Sequence, residues 1–511
     1  MKAEFREIFR FHPPYLSQMI QKQAYIALDC GAESARVMVG ILQQGQLQLE
    51  EIHRFPTGGI SVGESLRWDV LQIFEELRIG VRKAAQLKLP IASLSADSWG
   101  LDFVLIRDQE PILTPPRHYR DPRNLVYYEK VRKQLGEDVI FEETGIQFMP
   151  INTIYQLAAA QDESPELLTF ADKLITMGDW FNYMFSGVAV GDASMVSTTQ
   201  LYNPRRQEWS RPLIDALGLP HDLFPEIVPC GSILGPITEQ VAESTGLASN
   251  TKVIASCSHD TGAAVVGTPA QSGQKDWAYL SSGTWSLLGV ELDTPVITPK
   301  SRQYNFTNEV GLNHSIRLLK NISGLWVVQE CRRKWESEGY SYDYSTLTEM
   351  ASAASSLQSL INPNDPRFTT IGEMPEKIAA YCIESKQPVP ESHGAFVRSS
   401  LESLALSYRK VLDELEETTG KTLRTLHIVG GGSKNKLLNQ LAANATGRRV
   451  LSGPSEATAI GNVLIQSLAL GHLSSLSEIR NTVRNSFEIE EYLPQDQLIW
   501  DKAYQRFLKL P

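Results

Sequence analysis

Cysteine is scarce in this sequence, with five in 511 residues at Cys30, Cys230, Cys257, Cys331 and Cys382. The number is odd, the spacing is wide and no C-x-x-C pair occurs, which excludes a disulfide-stapled scaffold and offers no zinc ligand set. Basic residues are outnumbered, with 48 Lys and Arg against 59 Asp and Glu for a net charge of −11, and they are dispersed along the chain. Such a balance argues against a nucleic-acid-binding face. A small anionic ligand would have to be held by main-chain N–H groups or a local cation. Long apolar runs are also missing near the start: Met1 to Gln23 contains Glu4, Glu7 and a Pro13-Pro14 break. That stretch reads as an N-terminal extension, with Met19 as an alternative start, and not as a signal peptide or membrane anchor; the cytoplasm is the expected compartment.

What is present is ordinary globular composition, 42% apolar and 21% charged. At roughly 150 residues per domain the length suits about three domains, or two large α/β domains. Tyr25 to Ile41 reads as a strand, a small-residue turn and a second strand, followed by a third strand at Leu47 to Phe55. Val70 to Leu87 has helical periodicity, with Leu71, Phe74, Leu77 and Val81 on the apolar stripe. Strands return at Ile91 to Ser95 and Leu101 to Ile106, and Asn124 to Gly187 is mostly helical. Ala278 to Val290 repeats the form seen at residue 25. Likewise Lys252 to Ser256 and Thr425 to Val429 are both strands that run into a turn and a helix. The economical reading is a duplicated α/β chain with a boundary near residues 268 to 276, whose Pro, Gly, Ser and Gln content is that of a linker. The expected divisions are an extension at 1–23, a first domain at 24–270, a second at 271–490 and a C-terminal tail at 491–511.

Five stations carry chemistry. Asp29-x-Gly31 closes a strand, where glycine permits an anion to approach the backbone and a carboxylate suits the hydrated Mg²⁺ of a nucleotide. The same pattern also makes an ordinary hairpin. Ser281 to Thr284 is a second hairpin of this type, and two such turns suit a triphosphate clasped from opposite sides, with the Thr284 hydroxyl donating. Gly430 to Gly432 lies between a strand and a helix, so a flat ring has room against the backbone. It is neither a Walker loop nor a G-x-G-x-x-G. Asp260, after His259 at a strand-to-helix junction, suits a general base for an acceptor hydroxyl, or a simple helix cap. Trp99-Gly100 suits one face of a sugar ring, or a packed strand end.

In their order these stations resemble the FGGY family of sugar kinases, within the actin-like, Hsp70-like and sugar-kinase ATPase fold. The resemblance runs from about Tyr25 to Gly471. It is carried by Ala96 to Leu105, His118 to Asp121, Gly145 to Phe148, Ser258 to Thr261, Tyr279 to Ser286, Asn321 to Trp326, Ile361 to Asp365 and Leu426 to Gly432. It implies two duplicated actin-like, ribonuclease H-like ATPase domains around a central cleft. The pattern is most similar to the branch that uses ATP and Mg²⁺ to phosphorylate L-rhamnulose at O1 in L-rhamnose catabolism. Carried over by position, Ala32, Glu33, Ser34, Ala35 and Arg36 form the first ATP-phosphate loop, and Thr284, Gln329 and Gly431 are further ATP contacts. Gly100, His259, Asp260, Thr261 and Asn321 are similar to the sugar contacts, Asp260 takes the place of the proton acceptor, and Asp29 that of the metal ligand.

Three departures mark this chain, one of them the residues before Gln23, which have no counterpart in the family. The first phosphate loop in that branch usually reads Ala-Ser-Ser-Gly-Arg, whereas here Glu33 and Ala35 intervene; Glu33 is expected to face solvent because Arg36 remains. A Cys-x-x-x-Cys pair of some relatives is replaced by Ala442 and Thr446. The rival readings are an FGGY kinase for another ketose or deoxy-sugar, such as L-fuculose or xylulose, and a sugar-independent actin-like ATPase switch. The expected partner is a small ketose, with no nucleic acid and no membrane, and the oligomeric state is left open.

Overall fold

The computed structural model describes residues 22–108 and 110–511. The extension expected at 1–23 therefore lies outside the described residues except for its last two. The chain forms two mixed sheets of matching topology. The first is built from β1 (Gln23–Cys30), β2 (Ser34–Gln43), β3 (Gln46–Pro56), then, after helix α1 (Val70–Gln86), β4 (Ile91–Ser98), β5 (Ser232–Pro236) and β6 (Lys252–Ala255), in the order β5-β6-β4-β1-β2-β3. The short helix α2 (Asp260–Val266) follows, and residues 267–276 carry no helix or strand.

The second sheet begins with the hairpin β7 (Trp277–Ser282) and β8 (Trp285–Leu292). It continues through β9 (Thr307–Val310), β10 (Ile316–Ser323), helices α3 (Trp326–Ser337) and α4 (His393–Thr419), and β11 (Thr425–Val429). Helix α5 (Lys436–Thr446), β12 (Arg449–Ser452), α6 (Ala457–Ala469), β13 (Glu490–Tyr492) and α7 (Gln497–Phe507) complete it, and the strand order is β9-β10-β8-β7-β11-β12-β13. In each sheet a hairpin (β1-β2 or β7-β8) is followed on one side by antiparallel strands, β3 alone in the first sheet and β10 then β9 in the second. On the other side come two parallel strands and an antiparallel edge. The duplication read in the sequence is thus a duplication of strand order.

Strand alternation explains why the central strands are apolar throughout. On β1, Ala24, Ile26, Leu28 and Cys30 enter the core beneath α1, while Tyr25 and Ala27 enter a second core shared with α2 and α6. Helix α1 is capped by Asp69, whose side chain accepts from the Gln72 N–H at 3.1 Å. Its buried face is Val70, Ile73, Leu77, Val81 and Ala84; Leu71, expected on that stripe, is half exposed. The stripe is displaced because Val70 and Ile73 turn toward the sheet.

Helix α6 belongs to the second half of the chain but packs on the first sheet. Its Gln466 Nε2 donates to the Ile26 carbonyl at 2.9 Å and its Asn462 Nδ2 to Asp97 Oδ2 at 2.6 Å. It crosses α2 so closely that a Cβ on Gly461 would lie 1.8 Å from the Ala263 carbonyl oxygen. The segment read as a tail, 491–511, is instead part of the second lobe. Helix α7 buries Trp500, Ala503, Tyr504 and Phe507 in its core, and Tyr504 Oη donates to Asp413 at 2.9 Å. An apolar face at helical spacing this close to the end finds its partners on α4 and α5.

Candidate active site

Both hairpin turns point into one cleft between the lobes, a cavity of about 700 Å³. The β1-β2 turn presents Gly31, Ala32, Glu33 and Ser34 to it, closed by a Gly31 N–H to Ser34 carbonyl bond of 3.1 Å and braced by Thr57 Oγ1 on the Gly31 carbonyl at 2.7 Å. Across the cleft stands the β7-β8 turn with Ser281 to Trp285, in which the Gly283 N–H donates to the Trp285 carbonyl at 2.9 Å. The Thr284 carbonyl receives the Trp326 N–H at 3.2 Å, anchoring the start of α3.

The three glycines after β11 have three different reasons. Gly430 sits at φ +83, in the left-handed region, and a Cβ on Gly432 would lie 2.1 Å from Ser282 Oγ. Only Gly431 has open space where a Cβ would go, and it lines the cleft. Room for a flat ring is therefore made at one glycine of the run.

On the first-lobe side the pocket wall is an aromatic stack held by one carboxylate. Trp68 lies against Trp99 with ring centroids 4.2 Å apart and stacks on His118 at 4.1 Å. Asp102 accepts from Trp68 Nε1 at 2.6 Å, Trp99 Nε1 at 3.0 Å, Gln156 Nε2 at 3.0 Å and the Tyr119 N–H at 3.3 Å. Burial pushes the Asp102 carboxyl up to about 7, against the lowering effect of those four donors. Burial, with help from the nearby Arg120 charge, pulls His118 down to about 4, so this wall is uncharged on the imidazole side at neutral pH. Trp99 touches the cleft by its edge and is otherwise packed. Gly100 is needed for space: a Cβ there would come within 3.1 Å of Thr198 Oγ1 and 3.4 Å of His259 Nε2.

Asp260 is the first residue of α2, facing the cleft with about a third of its side chain exposed. Its Oδ1 accepts the Thr261 N–H at 2.6 Å and the Thr261 hydroxyl at 3.2 Å, which leaves Oδ2 without a protein donor among the described residues. It is not the helix cap, a place held by His259. Asn321, on β10, is oriented by Gln147, whose Oε1 accepts its N–H at 2.9 Å and its Nδ2 at 3.1 Å.

The residues singled out in the sequence thus divide into three groups. Gly100, His259, Asp260, Thr261, Asn321, Ala32, Glu33, Ser34, Thr284 and Gly431 line the cleft together. Asp29, Ala35 and Arg36 stand behind the first turn. Gln329, on α3, is not among the lining residues, and its Oε1 is buried without a partner among the described residues. Arg36 is not a free cation: its guanidinium is bonded to both Asp29 and Glu456, the latter beside α6. Glu33 does not simply face solvent; its Oε1 meets Arg333 Nη2 of α3 at 2.9 Å, across the mouth of the cleft. Sequence reasoning misses Arg120, Glu309, Arg317 and Arg333. For Arg317 a signal exists, an arginine in the otherwise apolar strand Ile316 to Leu319. Arg120 lies over Trp285 and Trp326 at 5.6 and 5.0 Å from the ring centroids and has no carboxylate partner among the described residues.

A divalent cation suits the carboxylates here. Asp29 and Asp97 are opposed in the β1-β4 register, and burial raises both. At Asp29 the Arg36 guanidinium opposes that rise while Asp260 and Glu456 add to it; at Asp97 repulsion from Asp29 and Asp260 adds to it, and Asp97 Oδ1 is buried without a hydrogen bond. No group of three ligating side chains converges among the described residues. That pattern fits Mg²⁺, which takes one or two carboxylates and otherwise keeps water and phosphate oxygens.

Two lobes of one topology, each offering a hairpin turn to a shared cleft, are the architecture of the actin-like, ribonuclease H-like ATPases. The same fold is seen in the gluconate kinase of Lactobacillus acidophilus (TM-score 0.79, 18% identity, 96% of this chain and 97% of that one) and in a ligand-bound xylulose kinase from the same organism (0.80, 18%, 95% and 97%). Residues 24–267 match the N-terminal domain, and residues 278–470 the C-terminal domain, of the FGGY family of carbohydrate kinases. The chain belongs to that family, and is a sugar kinase with ATP as co-substrate. It is similar to the rhamnulokinases of Bacteroides thetaiotaomicron (42% identity, 95% of this chain and 99% of the relative), Enterococcus faecalis (40%, 96% and 99%) and Bacillus subtilis (38%, 92% and 96%). No helix among the described residues is long and apolar enough to cross a membrane.

Proposed function

We propose that this chain transfers the γ-phosphoryl group of ATP to O1 of L-rhamnulose, giving L-rhamnulose 1-phosphate and ADP in L-rhamnose catabolism. The observation that supports it most is that Asp260 Oδ2, without a protein donor among the described residues, opens on the same cleft as the aromatic wall and the two hairpin turns. Similarity to rhamnulokinases over nearly the whole chain selects the ketose. Asp260 accepts the O1 proton as O1 bonds to the γ-phosphorus and the bond to the β-γ bridging oxygen breaks, so ADP leaves and the proton stays on the carboxyl. Gly100, His259, Thr261 and Asn321 position the sugar. N–H groups of the Ala32 to Arg36 turn and the Thr284 hydroxyl hold the phosphates, Gly431 admits the adenine ring, and Gln329 completes the nucleotide side. Arg120 supplies the cation on the sugar side that the acidic chain otherwise lacks. Asp29 would hold Mg²⁺, which supplies charge neutralisation on the phosphates when bound. Closing of the lobes excludes water as a competing acceptor. ATP as donor supports a cytoplasmic setting.

The test is ADP release across L-rhamnulose, L-fuculose and D-xylulose, with NMR locating the phosphate on the product. L-rhamnulose with phosphate on O1 is the expected result, and a clear preference for another ketose would replace this reading. Asp260→Asn should leave the melting temperature nearly unchanged and lower turnover by roughly 10²- to 10⁴-fold. Near-normal turnover would remove Asp260 from the role of base.

A further inference from the structure

Arg317 is fully buried on β10, and its role is not explained by the sugar and phosphate contacts. Its guanidinium reaches from the second sheet to the residue before the proposed base. Nη2 lies 3.1 Å from His259 Nδ1, while Nε and Nη2 donate to the Val310 carbonyl at 3.3 and 3.1 Å. Glu309, the neighbouring residue on β9, stands 3.2 Å from Arg317 Nη1 and 3.4 Å from His259 Nδ1 through the same Oε2. On the other edge of the imidazole, Nε2 is 3.4 Å from Asp260 Oδ1 and faces the space kept open by Gly100.

An arginine cannot give up its proton, so an imidazole nitrogen at 3.1 Å from it must present a lone pair. A proton on Nδ1 would set two donors against each other, and the acceptor it could turn to, Glu309 Oε2, stands farther off at 3.4 Å and takes part in no hydrogen bond among the described residues. We propose that Arg317, neutralised by Glu309, locks His259 as the neutral tautomer protonated on Nε2. The imidazole N–H is thereby aimed at the Asp260 carboxylate and the sugar pocket. Arg317 and Glu309 are positioning residues. Because they lie on the second sheet and His259 on the first lobe, the lock is complete only when the lobes are together. Glu309 keeps the negative charge that neutralising Arg317 requires. Burial opposes that charge, yet the Arg317 guanidinium holds its carboxyl below the ordinary range.

The inference rests on Asp260 as the proton acceptor only for its consequence in turnover; the tautomer itself can be read without activity. Long-range ¹H–¹⁵N spectra of the histidine-labelled protein, with His259 assigned by its loss in His259→Gln, should show Nδ1 unprotonated and Nε2 protonated. In the charge-neutral double variant Arg317→Met/Glu309→Gln the tautomers should redistribute toward Nδ1–H. There kcat should fall roughly 10- to 100-fold, the size expected when groups that orient a working side chain are removed, with KM for ATP unchanged. Arg317→Lys, which keeps a donor, should retain the wild-type tautomer. A protonated Nδ1 in the wild type overturns the proposal even if the double variant does not fold, and so does an unchanged tautomer in a folded double variant. If Asp260→Asn keeps its turnover while His259 remains Nε2-protonated, the assignment of Asp260 fails and the lock stands.

Discussion

His427 sits on the central strand β11, almost fully buried, with neither ring nitrogen hydrogen-bonded among the described residues and the Trp277 ring edge-on at 5.5 Å. Burial first, then repulsion from Arg480, Arg449 and Arg484, pulls its pKa down to about 3. In the unfolded chain an imidazole titrates near ~6.5. Below that pH the unfolded state takes up a proton that the folded state refuses, so stability falls as pH drops from about 6.5 toward 3 and is unaffected above it. At pH 5 the loss is about 2 kcal/mol, from ~1.4 kcal/mol per pH unit. His427→Leu removes the titrating group, so the difference in unfolding free energy between pH 7.5 and pH 5, measured by denaturant titration, should shrink by that amount. An acid dependence identical to the parent's would show that His427 finds a partner in solution. Asp102 illustrates the opposite use of burial. A carboxylate surrounded by N–H donors orders Trp68, Trp99 and Tyr119 into one wall, and it does so from behind the pocket, outside the reach of substrate.

At the scale of elements, what can be read from the sequence is whatever repeats within a few residues. The β1-β2 and β7-β8 hairpins announce themselves by apolar strands around small polar turns. Periodicity puts Leu71 of α1 inside, because the period alone does not say which side of a helix meets the sheet. Lone charges give little local signal, and even Arg317, conspicuous in an apolar strand, does not show what it contacts. Glu33, Arg333, Glu309 and Arg317 take their meaning from partners far away in the chain, and the C-terminal helix α7 reads as a tail for the same reason. The α2-α6 crossing is another long-range fact written in short-range residues: Ala263, Ala264 and, just past the helix end, Gly267 meet Ala457, Ala459 and Gly461 of the other helix. A methyl group at 461 would meet backbone, which cannot rotate away. Gly461→Ala should therefore destabilise the protein at or above the upper end of the roughly 1–3 kcal/mol range for overpacking. It should also depress turnover in whatever fraction folds, since α2 mounts Asp260. An unaltered denaturation midpoint would mean that the two helices separate freely.

For the whole molecule the question is what holds the cleft at its present width. Two ion pairs tie the halves of the chain here, Arg36 to Glu456 behind the first turn and Glu33 to Arg333 across the mouth of the cleft. The second is about half exposed on both sides, so its coupling should lie in the roughly 0.2–1 kcal/mol range of surface pairs, or about 1.5- to 5-fold in a binding constant. Its position matters more than its strength, because Glu33 lies in the turn proposed to receive phosphates. With Arg333 present the carboxylate is half neutralised; without it, Glu33 repels the nucleotide unopposed. Arg333→Ala should therefore raise KM for ATP and Glu33→Ser should lower it; because Arg333 acts through Glu33, the double variant should match Glu33→Ser, with kcat little altered throughout. The four enzymes form a thermodynamic cycle that isolates the pair, and its coupling should fade between low and high salt as exposed charges are screened. Strictly additive effects on KM, or a coupling indifferent to salt, would leave Glu33 as a bystander at the cleft mouth and return the neutralisation of the triphosphate to the turn N–H groups and the metal alone.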